Sequence, residues 1–141
     1  MPANKDRSSP TRFLNVDLDI YSKSDLQPIV DAFGKKAITL YVGRDCRSYC
    51  AHLEIATPTK TADSTIRVFC ALIRALPKQE RGLWDAALVR SFSVGIQAGM
   101  QPISCDFMIK AETVKAVSEL AAQVVLTIYA PERTPKRINP S

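Results

Sequence analysis

Residues 13–20, FLNVDLDI, alternate strictly between apolar and polar side chains, and this pattern constrains the fold more than any other in the chain. A period of two is typical of a β-strand with one buried face and one wet face. Strands of a fully covered parallel sheet read instead as continuous apolar runs. The alternation, which recurs at 91–98, therefore predicts an antiparallel or mixed sheet with one open face.

Two other segments of the chain share one pattern. Segments 23–42 and 110–129 each run from a cap or acidic residue, through an apolar helix face, into a strand. Between them, 48–56 reads as a strand that forms a hairpin with 37–42, and helices are expected on both sides of Pro77. These elements predict an α+β fold: a two-layer sandwich, ferredoxin-like with an additional strand and helix, whose mixed or antiparallel sheet carries the helices on one face.

Several local features follow from residue type. Ser24 and Asp25 read as the cap of a helix that begins close to Asp25 and stops at Gly34. Gly43–Asp45 reads as the hairpin turn. Trp84, the only tryptophan, is expected in the core.

The length of 141 residues fits a single domain, expected at 13–130, between disordered basic tails at 1–12 and 131–141. Each tail carries three basic side chains against one acidic side chain, so most of the net charge of +5 lies there. Because the folded body is close to neutral, a surface that follows nucleic-acid phosphates is disfavoured, and nucleic acid is not an expected partner.

Other classes of protein find little support in the sequence. No apolar run approaches the roughly 20 residues of a membrane helix, and no secretory signal is evident, so a cytoplasmic protein without a membrane partner is expected. The four cysteines are then expected to be thiols. Cys46, Cys50 and His52 lack the second ligand pair of a structural zinc site. With no Gly-rich phosphate loop and no nucleophile elbow, we predict no metal, no cofactor and no catalytic residue.

The one histidine of the chain, His52, marks the candidate binding site. Strand parity places it on the open face of the sheet, together with Glu54. If the hairpin strand inserts beside the first strand, Asp17 and Asp19 become its neighbours. Three carboxylates around an imidazole could raise the pKa of a carboxyl group, hold a hard cation or form an acid/base pair; alternatively, they simply line a solvated face. The candidate binding residues are Asp17, Asp19, Tyr41, His52, Glu54 and Gln97.

The segments TIRVFCALIRALP, GLWDAA, FSVGIQAG and VSELAAQVVLTIYAP resemble, as a set, small stand-alone bacterial α+β proteins of unknown function. The resemblance covers most of 13–131, and its motifs are core and turn positions, so it implies a fold but no activity. It further implies a bacterial accessory protein with an immunity or partner-binding role.

Taken together, these observations predict a non-enzymatic binding domain whose ligand is a protein or a small molecule. The domain would use its open sheet face or an exposed sheet edge. Because edge strands pair readily, a homodimer is also expected. The alternative is a small enzyme or ligand sensor that uses the carboxylate–histidine cluster of the open face.

Overall fold

The computed structural model describes residues 10–57 and 59–131; the greater part of both predicted tails, 1–9 and 132–141, lies outside the described residues. Within the described part the fold is α+β, with a five-stranded mixed sheet and four α-helices. None of these helices is long and apolar enough to cross a membrane. The elements, in chain order, are β1 (Arg12–Ser22), α1 (Gln27–Phe33), a 3₁₀ turn (Gly34–Lys36), β2 (Ala37–Asp45), β3 (Ser48–Ile55), α2 (Ala62–Arg74), α3 (Lys78–Asp85), β4 (Val89–Gln97), α4 (Ala111–Glu119) and β5 (Gln123–Tyr129).

The strand order across the sheet is β2-β3-β1-β4-β5. All neighbouring strands are antiparallel except β4 and β5, which are parallel. Strand β3 lies between β1 and β2, so the first strand–helix–strand unit is split, whereas β4, α4 and β5 form an unbroken parallel unit. The mixed sheet predicted from the alternation of 13–20 is confirmed, and β2 and β5 are its two edges.

The core lies against the face of the sheet that carries Val16, Leu18 and Ile20 of β1, all of which are buried. Side chains of α2 pack onto this face, with the rings of Phe69 and Phe92 5.9 Å apart. The opposite face of β1, which carries Asn15, Asp17 and Asp19, is half-buried; we call it the open face.

Trp84 lies fully in the core, as expected. Its indole N–H donates a hydrogen bond to the carbonyl of Leu120 at 3.0 Å. The guanidinium of Arg90 donates to the carbonyls of Trp84 and Ala121. The last carbonyls of a helix have no N–H partner within the helix, and these bonds satisfy carbonyls at the ends of α3 and α4. The bonds from Arg90 also connect both helix ends to β4.

Two β-bulges shift the predicted strand parity. One bulge lies between Phe13 and Asn15, so Phe13 packs against the core and Leu14, expected to point inward, is 39% exposed. The second lies between Thr39 and Tyr41. As a result Thr39 pairs with the buried Leu53 instead of lying on the open face. A bulge adds one residue to one strand, and every side chain beyond it changes face.

The structure also shifts two predicted boundaries. Helix α1 begins at Gln27, with Leu26 and not Ser24 at the cap position, but the carboxylate of Asp25 accepts the backbone N–H of Gln27 at 3.0 Å and so bonds the first turn. Strand β2 continues through Gly43 to Asp45, and the hairpin turn falls at Cys46–Arg47. Gly43 is therefore part of the strand, where an added Cβ would lie 3.0 Å from the Tyr41 hydroxyl. Glycine suits this position because the Tyr41 side chain lies close to the backbone there, and not because the chain turns.

Candidate functional site

Asp19 and His52 form a close pair on the open face. They oppose each other in the β1–β3 ladder, and His52 Nδ1 lies 2.6 Å from Asp19 Oδ1. The other carboxylate oxygen, Asp19 Oδ2, accepts a hydrogen bond from Ser93 Oγ of β4 at 2.7 Å. Asp19 is thus held from both neighbouring strands, and it fixes the imidazole with Nδ1 as the donor.

Asp17 and Glu54 form a second pair beside the first. They also oppose each other in the β1–β3 ladder, and Asn15 Nδ2 donates to Asp17 Oδ1 at 3.0 Å. The room for Asn15 comes from Gly95 on β4, where an added Cβ would lie 2.8 Å from Asn15 Oδ1. Any larger residue at 95 would have to displace the amide that orients Asp17.

The surroundings of Asp17 raise the pKa of its carboxyl from 3.8 to about 6. Burial is the largest cause, followed by the negative charges of Glu54 and Asp19; the nearby His52 acts in the opposite direction. Two carboxyl groups that face each other hold a proton more readily than either would alone. Asp17 therefore keeps its proton to a higher pH than an ordinary aspartate does, and this property distinguishes it from the other polar residues of the open face.

Aromatic rings and a thiol border the His52 side of the cluster. The ring of Tyr21 meets that of His52 edge-on at 5.7 Å, and the ring of Tyr41 lies 6.4 Å away. Cys50 is 2% exposed, and burial, then the charges of Asp45 and Asp19, raise the pKa of its thiol. Because a thiolate is the reactive form of cysteine, this environment opposes a nucleophilic role for Cys50.

The structure therefore brings together five of the six predicted binding residues: Asp17, Asp19, Tyr41, His52 and Glu54. Gln97 lies apart from them. It is four positions along β4 from Ser93, about 13 Å in an extended strand, and it is buried. Its side-chain amide donates a hydrogen bond to the carbonyl of Ala130 at 2.7 Å, which connects β4 to the residue that follows β5. This bond gives Gln97 a structural role.

The cluster on the open face is neither a predicted metal site nor enclosed by a cavity. Within residues 10–57 and 59–131, no three His, Cys, Asp or Glu side chains are grouped so that they could hold a metal ion. A cavity of about 180 Å³ opens at one end of the cluster, where Asn15, Glu54 and Thr59 contribute to its lining. Glu54 is the one carboxylate of the cluster that lines this cavity.

A second candidate site lies on the other side of the sheet, along β5. Leu126 and Ile128 are the β5 neighbours of Val94 and Ile96 and lie on the same side of the sheet as these two core residues. They are nevertheless 61% and 64% exposed. They line an apolar cavity of about 380 Å³ together with residues of the connection before α4, including Ile103 and Phe107. Neither β5 nor the lining of this cavity contains a charged residue.

The sequence pattern predicts a strand at the end of segment 110–129, but it does not predict that this strand lies at an uncovered edge of the sheet. A signal was present: its seven residues contain no lysine, no acidic residue and no proline, the groups with which proteins usually protect an edge strand. The roles of Asn15, Ser93 and Gly95 around the cluster also depend on the pairing of β1 with β4.

Comparison of the chain with protein-family models, with curated proteins and with solved structures found no significant match.

Proposed function

We propose that this protein is a non-enzymatic interaction domain that binds a protein segment as an additional strand at the edge of β5. The observation that carries the proposal is the exposed, uncharged and unbulged edge of β5 beside an apolar cavity. An extended segment bound at a sheet edge gains affinity from backbone hydrogen bonds and specificity from side-chain pockets. The cavity beside Leu126 and Ile128 supplies such a pocket.

The other edge strand, β2, has features that prevent strand pairing and that β5 lacks. Strand β2 has a bulge next to Leu40, and Arg44 and Asp45 place charges at its end. Bulges and charges are the features that keep an edge strand from pairing with another chain. Strand β5 pairs with β4 along its whole length without a break and has neither feature.

Selection of displayed random peptides on the immobilised protein tests the proposal. At nanomolar protein concentration, we expect enrichment of extended peptides with apolar residues at alternate positions. Leu126→Lys should abolish their binding, because it places a charge in the apolar pocket. The matched control is Ile38→Lys on β2, which changes a residue of similar exposure on the opposite edge and should leave binding unchanged. If the protein is a monomer under these conditions, failure to enrich such peptides would contradict the proposal, and so would equal binding by Leu126→Lys.

A second candidate function is ligand sensing or acid–base chemistry at the open-face cluster. It is favoured by Asp17, whose pKa is raised to about 6 opposite Glu54, and by His52, which Asp19 orients beside this pair. Groups with such pKa values are typical of functional sites, although ion-pair networks with a purely structural role also contain them. This candidate requires that Asp17 carry a proton near pH 6, which the Asp17→Asn variant described in the Discussion tests.

We further propose that the fold is a two-layer, ferredoxin-like sandwich with an additional strand and helix. The support is the split unit of β1, α1 and β2, which β3 completes, followed by a second strand–helix–strand unit. We also propose that the protein is cytoplasmic.

A further inference from the structure

The occupant of the β5 edge can be identified from the geometry of the strand. In a β-strand the backbone N–H and C=O of one residue point to the same side, and successive residues alternate. The carbonyl of Tyr129 accepts a hydrogen bond from the N–H of Ala98, so Tyr129 points toward β4. By alternation, the backbone groups of Val124, Leu126 and Ile128 point away from the sheet, toward a position where another strand can pair.

These three residues are spaced symmetrically about Leu126. If a second copy of β5 approaches antiparallel with its two-fold axis at Leu126, Leu126 faces Leu126 of the second copy and Val124 faces Ile128. All three residues then exchange both backbone hydrogen bonds with the second copy. On the other face, Val125 meets Thr127, and Gln123 meets Tyr129. β-Branched and aromatic residues in such cross-strand pairs stabilise a sheet.

Charge favours a second copy in particular. In a two-fold symmetric interface each surface meets itself, so a charged surface would repel its copy. β5 and the neighbouring cavity contain no charged side chain. The fully exposed Ile103 and the half-exposed Leu126 and Ile128 are also available for burial. The exposed part of the cavity lining, including Pro102, Ser104 and Cys105, extends this uncharged surface beyond the strand.

We infer that this protein forms a two-fold symmetric homodimer in which β5 pairs antiparallel with β5 of a second copy, centred on Leu126, to give a continuous ten-stranded sheet. The inference rests on the proposed interaction function of the β5 edge and names its occupant. In the dimer, the apolar cavities of the two copies lie on the same face of the extended sheet, on opposite sides of the axis.

Sedimentation equilibrium of the full-length protein from 1 to about 100 μM is the first test. The expected result is the mass of a dimer, with Leu126→Lys weakening association about 100-fold or more, since two lysines would face each other in place of a buried leucine pair. Ile38→Lys is the matched control and should remain dimeric. A monomer over the whole range, or a dimer that Leu126→Lys leaves intact, would overturn the inference.

Disulfide cross-linking tests the register. Directly opposed residues of a hydrogen-bonded antiparallel pair lie about 5.5 Å apart between Cα atoms, within the roughly 4.4–6.8 Å that a disulfide spans. In a background with Cys46 and Cys105 replaced by serine, we expect Leu126→Cys to cross-link with itself under mild oxidation. Val124→Cys should not cross-link with itself, but it should do so when mixed with Ile128→Cys. Any other pattern would refute the register centred on Leu126.

The two proposals fail in different ways. A monomer that still selects extended peptides at nanomolar concentration, with sensitivity to Leu126→Lys, overturns the homodimer and leaves the interaction domain standing. A monomer that selects no such peptide overturns both. Cross-linking through Leu126 together with a dimer mass supports both.

Discussion

Asp17 and Asp19 lie two residues apart on the same face of β1, yet their neighbours give them different properties. Asp19 accepts hydrogen bonds from His52 and Ser93, which satisfy both of its oxygens. Asp17 faces another carboxylate, Glu54, and receives one bond from Asn15. The charge of ionised Asp17 is therefore poorly compensated in the folded state.

Asp17→Asn should stabilise the protein at neutral pH. The pKa of Asp17 is about 6 in the folded protein and close to 3.8 in the unfolded chain, so the folded state binds the proton more tightly. Stability from this group is full below pH 3.8 and is lost as the pH rises through 6. One pKa unit corresponds to about 1.4 kcal/mol, and solvent screening at this half-buried site reduces the expected gain at pH 7 to about 1–2 kcal/mol.

Urea unfolding of the wild-type protein and of Asp17→Asn at pH 4 and pH 7 measures this effect. The gain should be present at pH 7 and nearly absent at pH 4, where the wild-type carboxyl is protonated in both states. The exposed Asp106→Asn serves as control and should change little at either pH. An equal effect of Asp17→Asn at both pH values would mean that Asp17 does not hold a proton near neutrality, and the second candidate function would lose its support.

At the scale of the elements, Asp63 joins two helices. It lies in the first turn of α2, and its Oδ1 accepts the backbone N–H of Lys110 at 2.9 Å, at the N-terminal cap of α4. Lys110 makes no side-chain cap of its own. A carboxylate near two helix N-termini satisfies an otherwise orphaned donor and interacts favourably with both helix dipoles.

Asp63→Ala should therefore lower the free energy of unfolding by about 1–3 kcal/mol, because the N–H of Lys110 loses its partner in a half-buried place. Asp63→Asn keeps an acceptor oxygen and should cost less. Urea unfolding curves measure both variants, and the slope against urea should not change. If Asp63→Ala and Asp63→Asn lowered the free energy of unfolding by equally small amounts, the hydrogen bond to Lys110 would not stabilise α4.

At the scale of the whole molecule, the distribution of charge disfavours nucleic acid on the open face. This face carries Asp17, Asp19 and Glu54, whereas most of the net charge of +5 comes from segments 1–12 and 131–141. Nucleic acid that approached the sheet would meet carboxylates where its phosphates must pass. Attraction to nucleic acid is therefore expected only from the terminal segments, without sequence preference.

Fluorescence anisotropy with a labelled 12-nucleotide oligouridine checks this expectation. Binding should be weak at 150 mM salt and stronger at 20 mM, because released counterions drive it. Replacement of the terminal basic residues by serine should abolish the low-salt binding; these are Lys5, Arg7, Arg133, Lys136 and Arg137. Salt-insensitive binding that survives this replacement would show an RNA site on the folded body and contradict the proposed absence of one.

Much of the fold could be predicted because side-chain periodicity is local. The alternation of Val16, Leu18 and Ile20 with Asp17 and Asp19 states which face of a strand avoids water, and the structure buries the first set. The pairing of β3 with β1 followed from the expected split unit, and it brings Asp19 opposite His52. That these residues serve a function is still a prediction.

The tertiary structure alone decided the properties that depend on neighbours distant in sequence. The bulges at Leu14 and Leu40, the bond between Gln97 and the carbonyl of Ala130, and the space that Gly95 leaves for Asn15 all arise between paired strands. The exposure of Leu126 has the same origin, since strand order places β5 at an edge. The sequence by itself determined which side chains avoid water along each strand, because that is a property of successive residues. Which strand is left unpaired, and which apolar side chains stay uncovered, depends on how all five strands assemble.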